Sequence, residues 1–73
     1  MIEYNAVDGS FRVTGVEGAK YISYRYDGEF PIFIPFTNSD VPIVEVATTK
    51  LGDHLFICYD ENMVELNRET YTI

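Results

Sequence analysis

The sequence predicts an all-β, mainly antiparallel domain: a small barrel or a strongly curved sheet of five to seven short strands, with at most one short helical segment. Three observations predict it. β-Branched and aromatic residues dominate and fall in short alternating runs bounded by Gly, Asp and Asn, the pattern of strands separated by turns. Two Asp-Gly pairs, Asp8-Gly9 and Asp27-Gly28, favour the positive φ angles that tight hairpins require. Finally, 73 residues leave room for one core only, so a single domain spanning 1–73 must bury its two-sided apolar strands by curving around them.

Taken in order, the runs place strands at 2–7, 10–16, 20–26, 29–36, 42–48 and 54–59, with a last one near 63–66 or 70–73. Asp8-Gly9 closes the first hairpin and Asp27-Gly28 the second. Prolines fix the register of the second. A plain two-residue loop would set Tyr24 against Pro31 in a hydrogen-bonded pair, and proline has no N–H to give. A shift of one residue pairs Tyr26 with Phe30, Tyr24 with Ile32 and Ile22 with Ile34. Ile22, Tyr24, Tyr26, Phe30, Ile32, Ile34 and Phe36 then share one face, with Tyr21, Ser23, Arg25, Pro31, Phe33 and Pro35 on the other. The prolines also make 29–36 a sheet edge or a briefly paired strand.

Residues 38–52 carry a competing helical pattern, with Ser39 or Asp40 as cap, Pro42 early and Gly52 last. The β-branched residues Val41, Ile43, Val44, Val46, Thr48 and Thr49 and the alternation Val44, Val46, Thr48 favour a strand followed by a Gly52-Asp53 turn. From Asp60 to Glu69 there are better helix formers, but Glu61/Glu65 and Glu65/Glu69 repel at i,i+4, leaving at most one helical turn after Asp60. The core expected from these patterns is Phe11, Val13, Ile22, Tyr24, Ile32, Ile34, Val44, Val46, Leu55 and Ile57, with Phe30 and Phe56 as further inward aromatics.

Charge narrows the function. The net charge is -7 and the pI about 4.3, which disfavours a phosphate-backbone binder. One cysteine, Cys58, forms no internal disulfide, and the N-terminus shows neither a basic segment nor an apolar run, so a cytoplasmic, non-membrane protein is expected. Chemistry-bearing motifs are wanting. His54, the lone histidine, reads as a surface-turn residue beside Gly52-Asp53, and Cys58 as a small buried hydrophobe whose acidic neighbours oppose a thiolate. Asp60-Glu61 lack the spacing of a calcium loop, and no glycine-rich phosphate loop occurs. No catalytic residue, metal site or cofactor is expected.

Two features point to binding. The segment 53–73 holds five acids and one base, and 1–52 seven acids and four bases, so the C-terminal third is the acidic part. Six Tyr and five Phe supply more aromatic surface than one small core consumes. The leading expectation is a non-enzymatic accessory regulator or inhibitor that docks on a basic protein, nucleic-acid mimicry by viral or mobile-element proteins being an analogy of size and charge. Its surface would comprise Asp53, Asp60, Glu61, Glu65 and Glu69 with Tyr21 and Phe33 as apolar anchors. The alternatives are a self-assembling homo-oligomeric subunit using the Tyr21/Phe33 face, and a small-barrel binder of single-stranded nucleic acid or glycan.

Overall fold

The first hairpin turns on Asn5 and Gly9. In the computed structural model, which describes residues 2–35 and 43–73, the Asn5 side-chain oxygen accepts the amides of Val7 and Asp8 at 3.0 and 3.3 Å. The Gly9 amide donates to the Asn5 carbonyl at 2.8 Å. Gly9 has φ 64°, and a Cβ on it would come within 2.6 Å of the Thr49 methyl, so both backbone and space demand glycine.

The described residues form seven strands: β1 (Ile2–Asn5), β2 (Ser10–Thr14), β3 (Tyr21–Tyr26), β4 (Ile32–Pro35), β5 (Ile43–Ala47), β6 (Asp53–Tyr59) and β7 (Glu65–Thr72). They form two antiparallel sheets, β1-β2-β5 and β4-β3-β6-β7. The described residues contain no helix. The fold is all-β as expected, two curved sheets packed about one core without closing into a barrel. The cap and early-proline positions of the competing helix, and Phe36, lie outside the described residues; β5 is a strand.

The second hairpin keeps the register that the prolines dictate. Tyr24 lies opposite Ile32 and Ile22 opposite Ile34, and β4 is an edge strand. Pairing stops there. The Glu29 amide donates to the Tyr26 carbonyl at 2.9 Å, closing a turn before Phe30 can pair with Tyr26. Phe30 is therefore solvent-exposed and not inward, and the strand begins at Ile32, not at residue 29.

Phe11 is the centre of the core. Its ring lies 4.7 Å from Tyr4, 4.9 Å from His54, 5.2 Å from Phe56 and 5.4 Å from Tyr71, joining the two sheets through edge-on and tilted aromatic pairs. Val13, Ala19, Ile22, Tyr24, Val44 and Cys58 are buried with it, and Ile34 and Val46 are partly buried against them. Three expected core residues are misplaced. Ile32 is exposed, lining an open cleft between β4 and β5. Leu55 and Ile57 face outward, because β3 aligns Ile22 with Cys58 and Tyr24 with Phe56. The opposite set, His54, Phe56 and Cys58, is buried.

His54 is the largest departure. Expected in a surface turn, it is 0% exposed, and both ring nitrogens find partners inside: Tyr24 Oη at 2.7 Å from Nδ1 and the Lys50 carbonyl at 2.7 Å from Nε2. Those bonds replace the water that burial removes.

β7 runs unbroken through the segment read as two short alternatives. Asp60 organises its approach: Oδ1 accepts the amides of Asn62 and Val64 at 2.8 and 2.9 Å. The Asp60 amide donates to the Val64 carbonyl at 2.9 Å, and Met63 takes φ 63°. This is a side-chain-capped turn and not a helical one.

Candidate functional site

Two surfaces stand apart from the rest. The first is the outer face of the four-stranded sheet, turned away from the core. Strand pairing sets Tyr21 beside Tyr59, and Ser23 between Phe33 and Ile57. Phe33 packs its ring 5.7 Å from Tyr59 and remains 51% exposed. Beneath them Ser23 is buried, its hydroxyl donating to Tyr59 Oη at 3.4 Å. The expected anchors Tyr21 and Phe33 thus meet on one face, joined by Tyr59, Ile57 and Leu55.

The expected acids do not gather. Asp53 stands at the start of β6, where it accepts the Thr72 hydroxyl at 2.7 Å. Asp60 and Glu61 stand beyond its other end, about 20 Å away at strand rise. Asp60 is committed to its own turn. Glu65 is on the outer face, opposite Tyr59, bonded by the Arg68 guanidinium at 3.1 and 2.6 Å. That hydrogen bond holds the Glu65 carboxyl below, and the Arg68 guanidinium above, their ordinary values. Glu69 is opposite Phe56 and so on the other side of β7.

The second surface was not foreseen. At the end of the sandwich that carries the β1–β2 turn, the β3–β4 turn and the β5–β6 connection, Val7 is 94%, Phe30 94% and Leu51 74% exposed. The β5–β6 connection touches both of the other loops. The Thr48 amide donates to the Gly9 carbonyl at 2.9 Å. Lys50 Nζ lies 3.4 Å from Glu29 and 5.0 Å above the Tyr26 ring, and Tyr26 donates its hydroxyl to the Leu51 carbonyl. Asp8, Asp27, Glu29 and Asp53 belong to the same end. A signal for two of the tips was present: Val7 precedes Asp8-Gly9 and Phe30 follows Asp27-Gly28, so each sits at a turn.

No family model, curated protein or solved structure matches the chain.

Chemically, these surfaces offer contact area and charge. Among the described residues no three His, Cys, Asp or Glu side chains group to hold a metal ion, and no helix is long and apolar enough to cross a membrane. The lone histidine spends both nitrogens in the core, and the Cys58 thiol is buried. Burial also raises the Tyr24 phenol above its ordinary value, outweighing the Thr48 hydrogen bond and the Lys50 charge.

Proposed function

We propose that this protein is a non-enzymatic binding module, an accessory regulator or inhibitor that docks on a basic protein through the loop end of its sandwich. One observation carries the reading: the three most exposed large apolar side chains among the described residues, Val7, Phe30 and Leu51, stand on loops at one end of the sandwich, the β5–β6 connection touching the other two, among four acids. Folding gains little from a side chain that keeps nine-tenths of its surface in water. Binding gains much when such side chains enter pockets on a partner, while surrounding charges set approach and orientation. Of the acids expected at an interface, Asp53 belongs to this rim. Asp60, Glu61, Glu65 and Glu69 lie elsewhere and add to the long-range field of a chain carrying -7.

The test is capture from an extract of the source cells on immobilised protein. Wild type retains a basic protein that a Val7→Ser/Phe30→Ser/Leu51→Ser variant, equally stable, does not. Equal retention by both would refute the loop-end reading.

A further inference from the structure

The two sheets differ in what they turn outward. On β1-β2-β5 the outward rows are Glu3–Arg12–Glu45, Asn5–Ser10–Ala47 and Thr14–Ile43, a largely charged and polar face such as water requires. On β4-β3-β6-β7 the outward residues of three adjacent strands are Phe33, then Tyr21 with the small Ser23, then Leu55, Ile57 and Tyr59. A sandwich needs only one apolar side per sheet. The second is surplus to the fold.

We propose that this outer face is where two copies of the chain meet, face to face about a twofold axis. The inference does not rest on the loop-end reading, which concerns another partner and a surface that meets this one only at Asp27 and Asp53. Charge selects the occupant. Arg25 and Arg68 share the face with Asp53, Glu65 and, at its lower border, Asp27. Two bases against three acids leave a net -1 there, where the whole chain carries -7. A basic partner finds little to attract it on such a face. A second copy, repelled by the acidic loop ends, finds there a surface where repulsion nearly vanishes. An apolar strip bordered by both signs of charge is also self-complementary under a twofold rotation, which brings the same patch of each copy against the other.

The area available is modest. Four strands about 4.8 Å apart and about 20 Å long present roughly 400 Å² per copy, roughly 800 Å² for the pair. Stable complexes bury about 1,200 Å² or more, so the dimer is a weak, reversible one.

Sedimentation equilibrium of the full chain from about 10 μM to 1 mM, at low and high NaCl, tests the proposal. A monomer–dimer equilibrium is expected that tightens several-fold at high salt, because screening removes the repulsion between two acidic chains while leaving apolar burial intact. Phe33→Asp abolishes it, and Tyr21→Ser, a milder change, weakens it about tenfold or more. The loop-tip triple variant leaves it unchanged, which separates this test from that of the loop end. Concentration-dependent NMR shifts in the wild type fall on residues 21, 33, 55, 57 and 59, giving a readout that needs no variant. A monomer at 1 mM, a dimer that survives both substitutions, or one that loosens with salt would each overturn the proposal. So would loss of a captured basic protein from Phe33→Asp without any self-association, which would give the face to that partner.

Discussion

The Tyr24 hydroxyl lies 2.7 Å from His54 Nδ1, one strand across and two residues along the sheet, inside the core. Because Nε2 meets a carbonyl, which only accepts, the ring carries its proton on Nε2 and Nδ1 accepts from Tyr24. Removing one partner strands the other. Tyr24→Phe is expected to cost about 1–3 kcal/mol through the unsatisfied ring nitrogen. The Tyr24→Phe/His54→Leu pair should cost less than the two single changes together. Urea unfolding of the four proteins measures the coupling; strict additivity would mean that the bond contributes nothing.

The buried phenol gives stability an alkaline limit. The folded Tyr24 holds its proton above the ordinary value of 10.0, so the folded state binds more protons than the unfolded one. The stability this contributes is fully present below about pH 10 and is lost as pH rises through the folded value. Melting temperatures from pH 8 to 12 should fall for wild type more steeply than for Tyr24→Phe. The sign is opposite for Glu65, held low by Arg68: its contribution is present above 4.5 and lost as pH falls, and solvent screening at the surface keeps it small.

The inward face of β6 predicts an inverted mutational pattern. Phe56→Ala, which empties the space between Phe11 and Tyr24, should cost about 3–5 kcal/mol. Leu55→Ala and Ile57→Ala should each cost less than about 1.5 kcal/mol, and Ile32→Ala less than about 1 kcal/mol, because each keeps contact with water in the folded protein. Denaturant midpoints compare them directly. A larger loss at Ile57 than at Phe56 would reverse the assigned faces.

Legibility in the sequence followed locality. The β3–β4 register was readable because Pro31 and Pro35 veto the alternative within a few residues of the turn. β6 was not. Both of its alternating sets are apolar beyond Asp53 and His54, and His54 is inside only because Tyr24, thirty residues away in sequence, and the Lys50 carbonyl of the preceding loop satisfy it. β7 resisted for the opposite reason: an edge strand exposed on both sides carries no alternation, and its turn depends on one side chain, Asp60. Tyr21 and Phe33 were rightly paired on one face, but their neighbour Tyr59 was hidden by the reversed reading of β6. The scattering of the acids follows from the path of β6, which carries Asp53 and Asp60 to opposite ends of the sandwich.

The glycine turns separate two kinds of cost. At Gly28, with φ 78° and open space around an added Cβ, alanine is expected to cost about 1–2 kcal/mol from backbone strain alone. At Gly9 the same strain combines with the close approach to Thr49, so Gly9→Ala should cost more than Gly28→Ala in thermal melts. Thr49→Ser, which deletes the methyl group, should recover part of the Gly9→Ala loss and none of the loss at Gly28.

Hydrogen–deuterium exchange of the protein, free and bound to the captured basic partner, tests most directly where it binds. The account predicts slowed exchange in residues 6–9, 27–31 and 48–52, around Val7, Phe30 and Leu51, with the outer strands little changed. Protection confined to β4 and β6, with those three loops exchanging as in the free protein, would contradict it.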